Sequence, residues 1–100
     1  MINANPDFCP THPGELLRED VIPATGKSKV AIARMLGISR QHLHDILAER
    51  KPVSAGVAVR LAKMFGNEPL FWMRMQAAHD AWHAEREVDV SGIPLLVAAA

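Results

Sequence analysis

Residues 28–48 read SKVAIARMLGISRQHLHDILA, and they decide the fold. Ser28 is placed to cap a helix, because its hydroxyl can accept from a backbone N–H that the first turn leaves unpaired. Val30, Ile32, Ala33 and Leu36 then predict an inner face. Gly37 closes the segment with a residue that tolerates a left-handed backbone. Ser39 caps a second helix two residues later, with Leu43, Ile46 and Leu47 at i, i+3 and i+4 and Lys51-Pro52 expected to stop it. Ala33 is small enough to let the two helices approach, and Ile38 is apolar where the junction needs a plug.

Two short helices at this spacing are the pattern of a helix-turn-helix, whose second helix, here about residues 39–48, reads DNA. At about 100° per residue the apolar trio lies opposite a face that carries Gln41, Asp45 and Ala48, with Arg40 and His44 on its shoulder. Arg40 can bond guanine O6 and N7, and Gln41 can bond adenine N6 and N7. Ser39 and the helix N-terminus suit a phosphate, while Lys27, Lys29, Arg50 and Lys51 flank them where backbone contacts fall. Asp45 is the discordant residue: it repels phosphate unless it accepts from cytosine or orients Gln41. The competing reading is an ordinary polar helix face.

Working outward, punctuation at Pro13, Pro23 to Gly26, Pro52, Gly66 to Pro69 and Gly92 to Pro94 divides the chain into short helical segments. Pro13 opens a first helix with Leu16, Leu17 and Val21 inward, ended by Pro23. Ser54 caps a fourth with Val57, Leu61, Ala62 and Phe65, ended by Gly66. A fifth runs from Pro69 to about Arg86 with Phe71, Trp72, Met75, Ala78 and Trp82 in its stripe. The expected architecture is all-α: a five-helix domain over 13–87, an arm over 1–12 and a tail over 88–100. One hundred residues suit one domain. Low aromatic content and the absence of alternating segments argue against a β-sandwich.

The formal net charge is zero, which describes no single surface. Residues 27–63 hold eight basic and two acidic groups, whereas 1–26 and 64–100 each carry a net charge of −3. A basic middle suits a polyanion, and acidic ends suit other partners. No apolar run approaches the roughly 18 residues of a membrane span. No basic segment followed by an apolar stretch suggests a secretory signal, and the cytoplasm is the expected setting. Cys9 is the single cysteine, so no intramolecular disulfide is possible.

Catalytic and metal readings are weak at this level. Cys9 and His12 lie in the presumed arm, and a nucleophilic pair needs a third orienting group inside a pocket. There is no Gly-rich phosphate loop. His79 and His83 stand at i, i+4, but two ligands are not a site and no neighbouring Cys or His completes one; no metal, cofactor or enzymatic activity is expected. Trp72 and Trp82, about 80° apart in helical projection, leave one for the core and the other for a second subunit. Ile93, Leu95 and Leu96 form an apolar run that suits a dimer contact or a cover for the end of the fifth helix.

The stretch SKVAIARMLGISRQHLHDILAERKPVSAGVAVRLAKMFGNEPLFWMRMQ over 28–76, preceded by His12-Pro13-Gly14-Glu15-Leu16-Leu17 and including Phe71-Trp72 and Gln76, with Asp80 beyond it, resembles the HigA family of antitoxins. These belong to the XRE, or λ-repressor-like, helix-turn-helix group. The departure is Glu68, where that family often has a small cap before Pro69. The resemblance implies a homodimer that binds its own operator as a repressor. It also implies a HigB-type partner toxin, a small mRNA-cleaving protein that the antitoxin neutralises. Charge and resemblance together assign Glu15, Glu19 and Asp20 to a basic toxin, and Trp82, Ile93, Leu95 and Leu96 to the dimer. The alternative is a stand-alone XRE-type regulator without a toxin.

Overall fold

The computed structural model describes residues 7–97. The expected arm over 1–12 therefore lies partly outside the described residues, as does the end of the 88–100 tail. The described chain forms five helical runs and no strand. The first, α1, covers residues 13–25 as an α-turn Pro13–Leu16, a π-turn Leu17–Val21 and an α-turn Ile22–Thr25. Then follow α2 (Lys29–Leu36), α3 (Arg40–Leu47), α4 (Ala55–Phe65) and α5 (Pro69–Glu87).

Side chains cap the starts of four of these runs. His12 Nδ1 accepts from the Gly14 N–H at 2.8 Å, and Pro13 follows at the first helical position, where its missing N–H costs nothing. Ser28, Ser39 and Ser54 accept from the N–H groups of Ala31, His42 and Val57 at 3.1, 3.0 and 3.2 Å. Glu68 makes no side-chain cap; α5 still begins at Pro69, whose ring presets the helical φ.

Pro23 does not end α1, contrary to the sequence expectation. Its ring would crowd the carbonyl four residues back, but a wider π-turn precedes it, in which the Ile22 N–H bonds the Leu17 carbonyl. The helix continues to Thr25 and closes at Gly26. The five-residue spacing also puts Leu17 and Ile22 on one face, and these are buried while Leu16 and Val21 sit at the core margin.

The core joins Leu17, Ile22, Ile32, Ala33, Leu36, Leu43, Ile46, Leu47, Val53, Val57, Ala58, Leu61 and Trp72. Val30 was expected among them and is instead exposed. Gly14 is where α1 meets α3: a Cβ there would collide with the Ile46 carbonyl, so only glycine allows the approach. Gly37 takes φ 75° at the turn between α2 and α3. Two arginines close helix C-termini from outside: Arg60 donates to the Leu36 carbonyl at 2.7 Å and Arg18 to the Leu47 carbonyl. Both place a cation at the negative end of a helix dipole.

Two further expectations are corrected. Helix α3 ends at Leu47, within the expected span of about 39–48, but its stop is not Lys51-Pro52: Glu49 turns left-handed (φ 63°) and the N–H groups of Arg50 and Lys51 fold back onto the Asp45 carbonyl. On α5 only Trp72 and Gln76 are buried; Phe71 and Ala78 face outward. The 19-residue helix outruns the core it packs on, and the molecule is elongated at 54 × 26 × 24 Å.

Candidate nucleic-acid interface

Burial of Leu43, Ile46 and Leu47 sets the rotation of α3. That rotation leaves Arg40, Gln41 and His44 exposed. A shallow groove beside the N-terminal half of α3 is lined by Lys29, Val30, Ser39, Arg40, Gln41, Leu43, His44 and Leu47. Five of the seven residues assigned to DNA from sequence, Lys29, Ser39, Arg40, Gln41 and His44, thus lie on one surface. Arg50 and Lys51 do not line it.

Arg50 and Lys51 converge instead on Asp45. This carboxylate is not the solvent-facing group the helical projection suggested: it is only 9% exposed. Its Oδ1 accepts from Gln41 Nε2 at 3.0 Å and from Arg50 Nη2 at 3.1 Å, and its Oδ2 lies 3.6 Å from Lys51 Nζ. The Arg50 hydrogen bond is the largest influence holding the Asp45 carboxyl below its ordinary range; partial burial opposes it, and Gln41 and Lys51 reinforce it. Asp45 therefore organises the polar groups on this side of α3. It fixes the Gln41 amide within the first turn of the helix and draws the post-helix cations back beside α3. The early end of α3 makes this possible, since residues five and six positions beyond Asp45 would point elsewhere on a continuing helix.

A buried polar residue supports this loop from below. Gln76 Oε1 accepts from the Val53 N–H at 2.8 Å, and its Nε2 donates to Asp80 at 2.9 Å. The sequence marked Gln76 and Asp80 only through family resemblance. Their physical use is to satisfy a buried backbone donor in the segment between α3 and α4.

The residues assigned to a protein partner lie elsewhere. Glu15, Glu19 and Asp20 are exposed on α1; Glu19 pairs with Arg18 at 3.3 Å, and Asp20 borders an apolar cleft with Leu16, Phe65 and Phe71. Trp82 is half-buried under the Arg86 guanidinium, 3.6 Å above its ring. Ile93, Leu95 and Leu96 are 69, 87 and 88% exposed and pack on no core element of this chain. The sequence reading also left His79 and His83 without a neighbouring ligand; the fold corrects this by bringing Cys9 to them.

A capped two-helix unit with a buried apolar seam and an exposed basic, hydrogen-bonding face defines a helix-turn-helix protein, and residues 17–72 match the helix-turn-helix family. The chain is 37% identical over 76 residues to virulence-associated protein I of Dichelobacter nodosus, covering 76% of this chain and 70% of that protein. It is 32% identical over 73 residues to antitoxin HigA-1 of Vibrio cholerae serotype O1, covering 73% and 69%. The chain belongs to the HigA family of antitoxins within the helix-turn-helix class. Its fold is similar to that of antitoxin GraA solved in complex with its operator, with a TM-score of 0.81, 36% identity and 99% of each chain covered. This is a family of DNA-binding regulators rather than enzymes.

Proposed function

We propose that the protein binds its own operator through α3 and represses transcription, and that it neutralises a HigB-type toxin encoded beside it. The observation that carries the DNA reading is the shared groove of Lys29, Ser39, Arg40, Gln41 and His44. The side chains nearest the α3 N-terminus are those that reach base edges when such a helix enters the major groove. Arg40 and Gln41 read bases, with Gln41 held in register by Asp45. Lys29, Ser39, Arg50 and Lys51 meet phosphates. A homodimer joined through Trp82 and the Ile93, Leu95 and Leu96 run presents two α3 helices to half-sites about one helical turn apart.

The acidic surface of α1 is the toxin-facing region. Glu15, Glu19 and Asp20 are solvent-exposed and lie outside the groove beside α3, so one subunit can engage a cationic partner and DNA with different faces. An mRNA-cleaving toxin needs a cationic surface for its substrate, and a carboxylate patch complements it.

The test pairs two measurements. Fluorescence anisotropy with DNA from upstream of the gene gives operator affinity, and co-expression with the adjacent small reading frame gives neutralisation. Charge reversal at Glu15 and Glu19 is expected to weaken toxin capture and leave operator binding nearly intact. Equal loss of both, with the fold preserved, rejects the division of faces. Absence of any toxic neighbour favours a stand-alone regulator.

A further inference from the structure

The segment before α1 and the outer half of α5 meet in a cluster that DNA recognition does not use. Cys9 Sγ lies 3.7 Å from His79 Nδ1 and 3.6 Å from His83 Nε2. The three ligand atoms all fall within 4.8 Å of one another. These separations are within reach of a thiol hydrogen bond, and they equally suit sulfur and nitrogen sharing a cation. With Zn–S of about 2.3 Å and Zn–N of about 2.0–2.1 Å, a tetrahedral centre holds S and N roughly 3.6 Å apart, and a trigonal one about 3.8 Å.

The scaffold is suited to hold such a site. His79 and His83 lie one turn apart on α5, with ring centroids 4.5 Å from each other. His12 packs edge-on against His79 at 4.9 Å. Its Nδ1 is occupied by the Gly14 N–H, so it supports the site rather than ligating through that atom. His79 Nδ1 also lies 2.9 Å from the Pro10 carbonyl, so in the metal-free chain a proton on Nδ1 serves that carbonyl. Trp82 packs edge-on to His83, and Asp80 on the next residue is occupied by Gln76.

We propose that Cys9, His79 and His83 form a three-ligand site for a thiophilic d10 metal ion, Zn2+ or Cu+, which clamps the segment before α1 onto α5. Binding displaces the Cys9 thiol proton to solvent and moves the His79 proton to Nε2, leaving a thiolate and two neutral imidazoles as ligands. A fourth position remains for water on Zn2+, while Cu+ is satisfied by three soft or borderline donors.

The test uses the full-length chain, reduced and stripped of metal, titrated anaerobically with Co2+ as a spectroscopic stand-in for Zn2+. One equivalent is expected to produce a thiolate-to-cobalt charge-transfer band and the intense visible bands of a low-coordinate centre. Cys9→Ser is expected to abolish the charge-transfer band, while His79→Ala and His83→Ala each lower affinity about tenfold or more. Displacement of Co2+ by Zn2+ supports a zinc site. Failure to bind Co2+ together with Cys9-dependent retention of Cu+ against a competing chelator supports a copper site. Neither a charge-transfer band nor Cu+ retention, or binding unchanged by Cys9→Ser, overturns the proposal. Far-ultraviolet circular dichroism and operator affinity unchanged in Cys9→Ser and His83→Ala establish that a lost band is not a lost fold.

Discussion

The α2–α3 unit and the C-terminal stretch from Val88 to Val97 are both rich in apolar residues, and the fold treats them in opposite ways. In the first, Ile32, Ala33, Leu36, Leu43, Ile46 and Leu47 are all less than 5% exposed. In the second, Val88, Val90, Ile93, Leu95, Leu96 and Val97 are 58–88% exposed. The difference lies in spacing and surroundings, not in hydrophobicity. The first set repeats with helical period and meets α1, α4 and α5 of its own chain. The second is interrupted by Gly92 and Pro94 in a segment outside any helix, with no face for the chain itself to cover. An apolar run left this open is expected to be buried against a second chain.

The sharpest way to break this comparison is to empty the core that the first region shares. Trp72 is 1% exposed, and its indole N–H donates to Asn67 at 3.0 Å. Trp72→Ala is expected to cost about 3–5 kcal/mol in urea unfolding; a loss under 1 kcal/mol denies that α5 anchors on this core. Gln76→Ala comes next. It strands the Val53 N–H and is expected to cost about 1–3 kcal/mol, together with weaker operator binding, because the loop bearing Arg50 and Lys51 loses its support.

Arg40→Ala tests the first region's exposed side. It is expected to leave the unfolding midpoint nearly unchanged, cost about 1–3 kcal/mol of operator affinity and relax selection at one base pair. Lys51→Ala is expected to weaken binding to all sequences alike and flatten the salt dependence. Unchanged affinity for Arg40→Ala removes it from base reading.

The smallest effects on monomer stability are expected in the tail. Leu95→Ser with Leu96→Ser should change the monomer's stability by no more than about 0.5 kcal/mol per site, yet shift the dimer equilibrium in sedimentation. An unaltered dimer assigns this run to some other surface. For Asp45 the expected effect is one of pH. Its folded carboxyl titrates below the ordinary 3.8, chiefly through Arg50. Its stabilising contribution is therefore complete above that value and is lost as pH falls through the folded pKa. Asp45→Asn should flatten that acid limb in chemical denaturation measured across pH.

Much of the fold was legible because the decisive signals are local. A serine three residues ahead of a free N–H is sufficient to start α2, α3 and α4, and Gly37 and Gly66 are sufficient to end two of them. Pro23 misled for the same reason. A proline reads as a stop only if the preceding turn is α-helical, and the π-turn depends on how Leu17 and Ile22 reach the core. The exposed face of α3 with Arg40, Gln41 and His44 was legible from the helix's period, but Asp45 was turned to the wrong environment. Its partners Arg50 and Lys51 lie beyond the end of α3, in a turn made by Glu49 that no sequence signal marked.

The sequence alone determined the number of helices, where four of them begin, and which side of α3 bears Arg40, Gln41 and His44, since hydrogen bonds and periodicity within a few residues decide these. The tertiary structure alone decided that Gln76 holds Val53 from 23 residues away, and that Cys9 meets His79 and His83 across 70 and 74. Such contacts depend on the angles at which α1 and α5 cross the core. Those angles follow from packing at positions such as Gly14 and Trp72, and no local pattern encodes them.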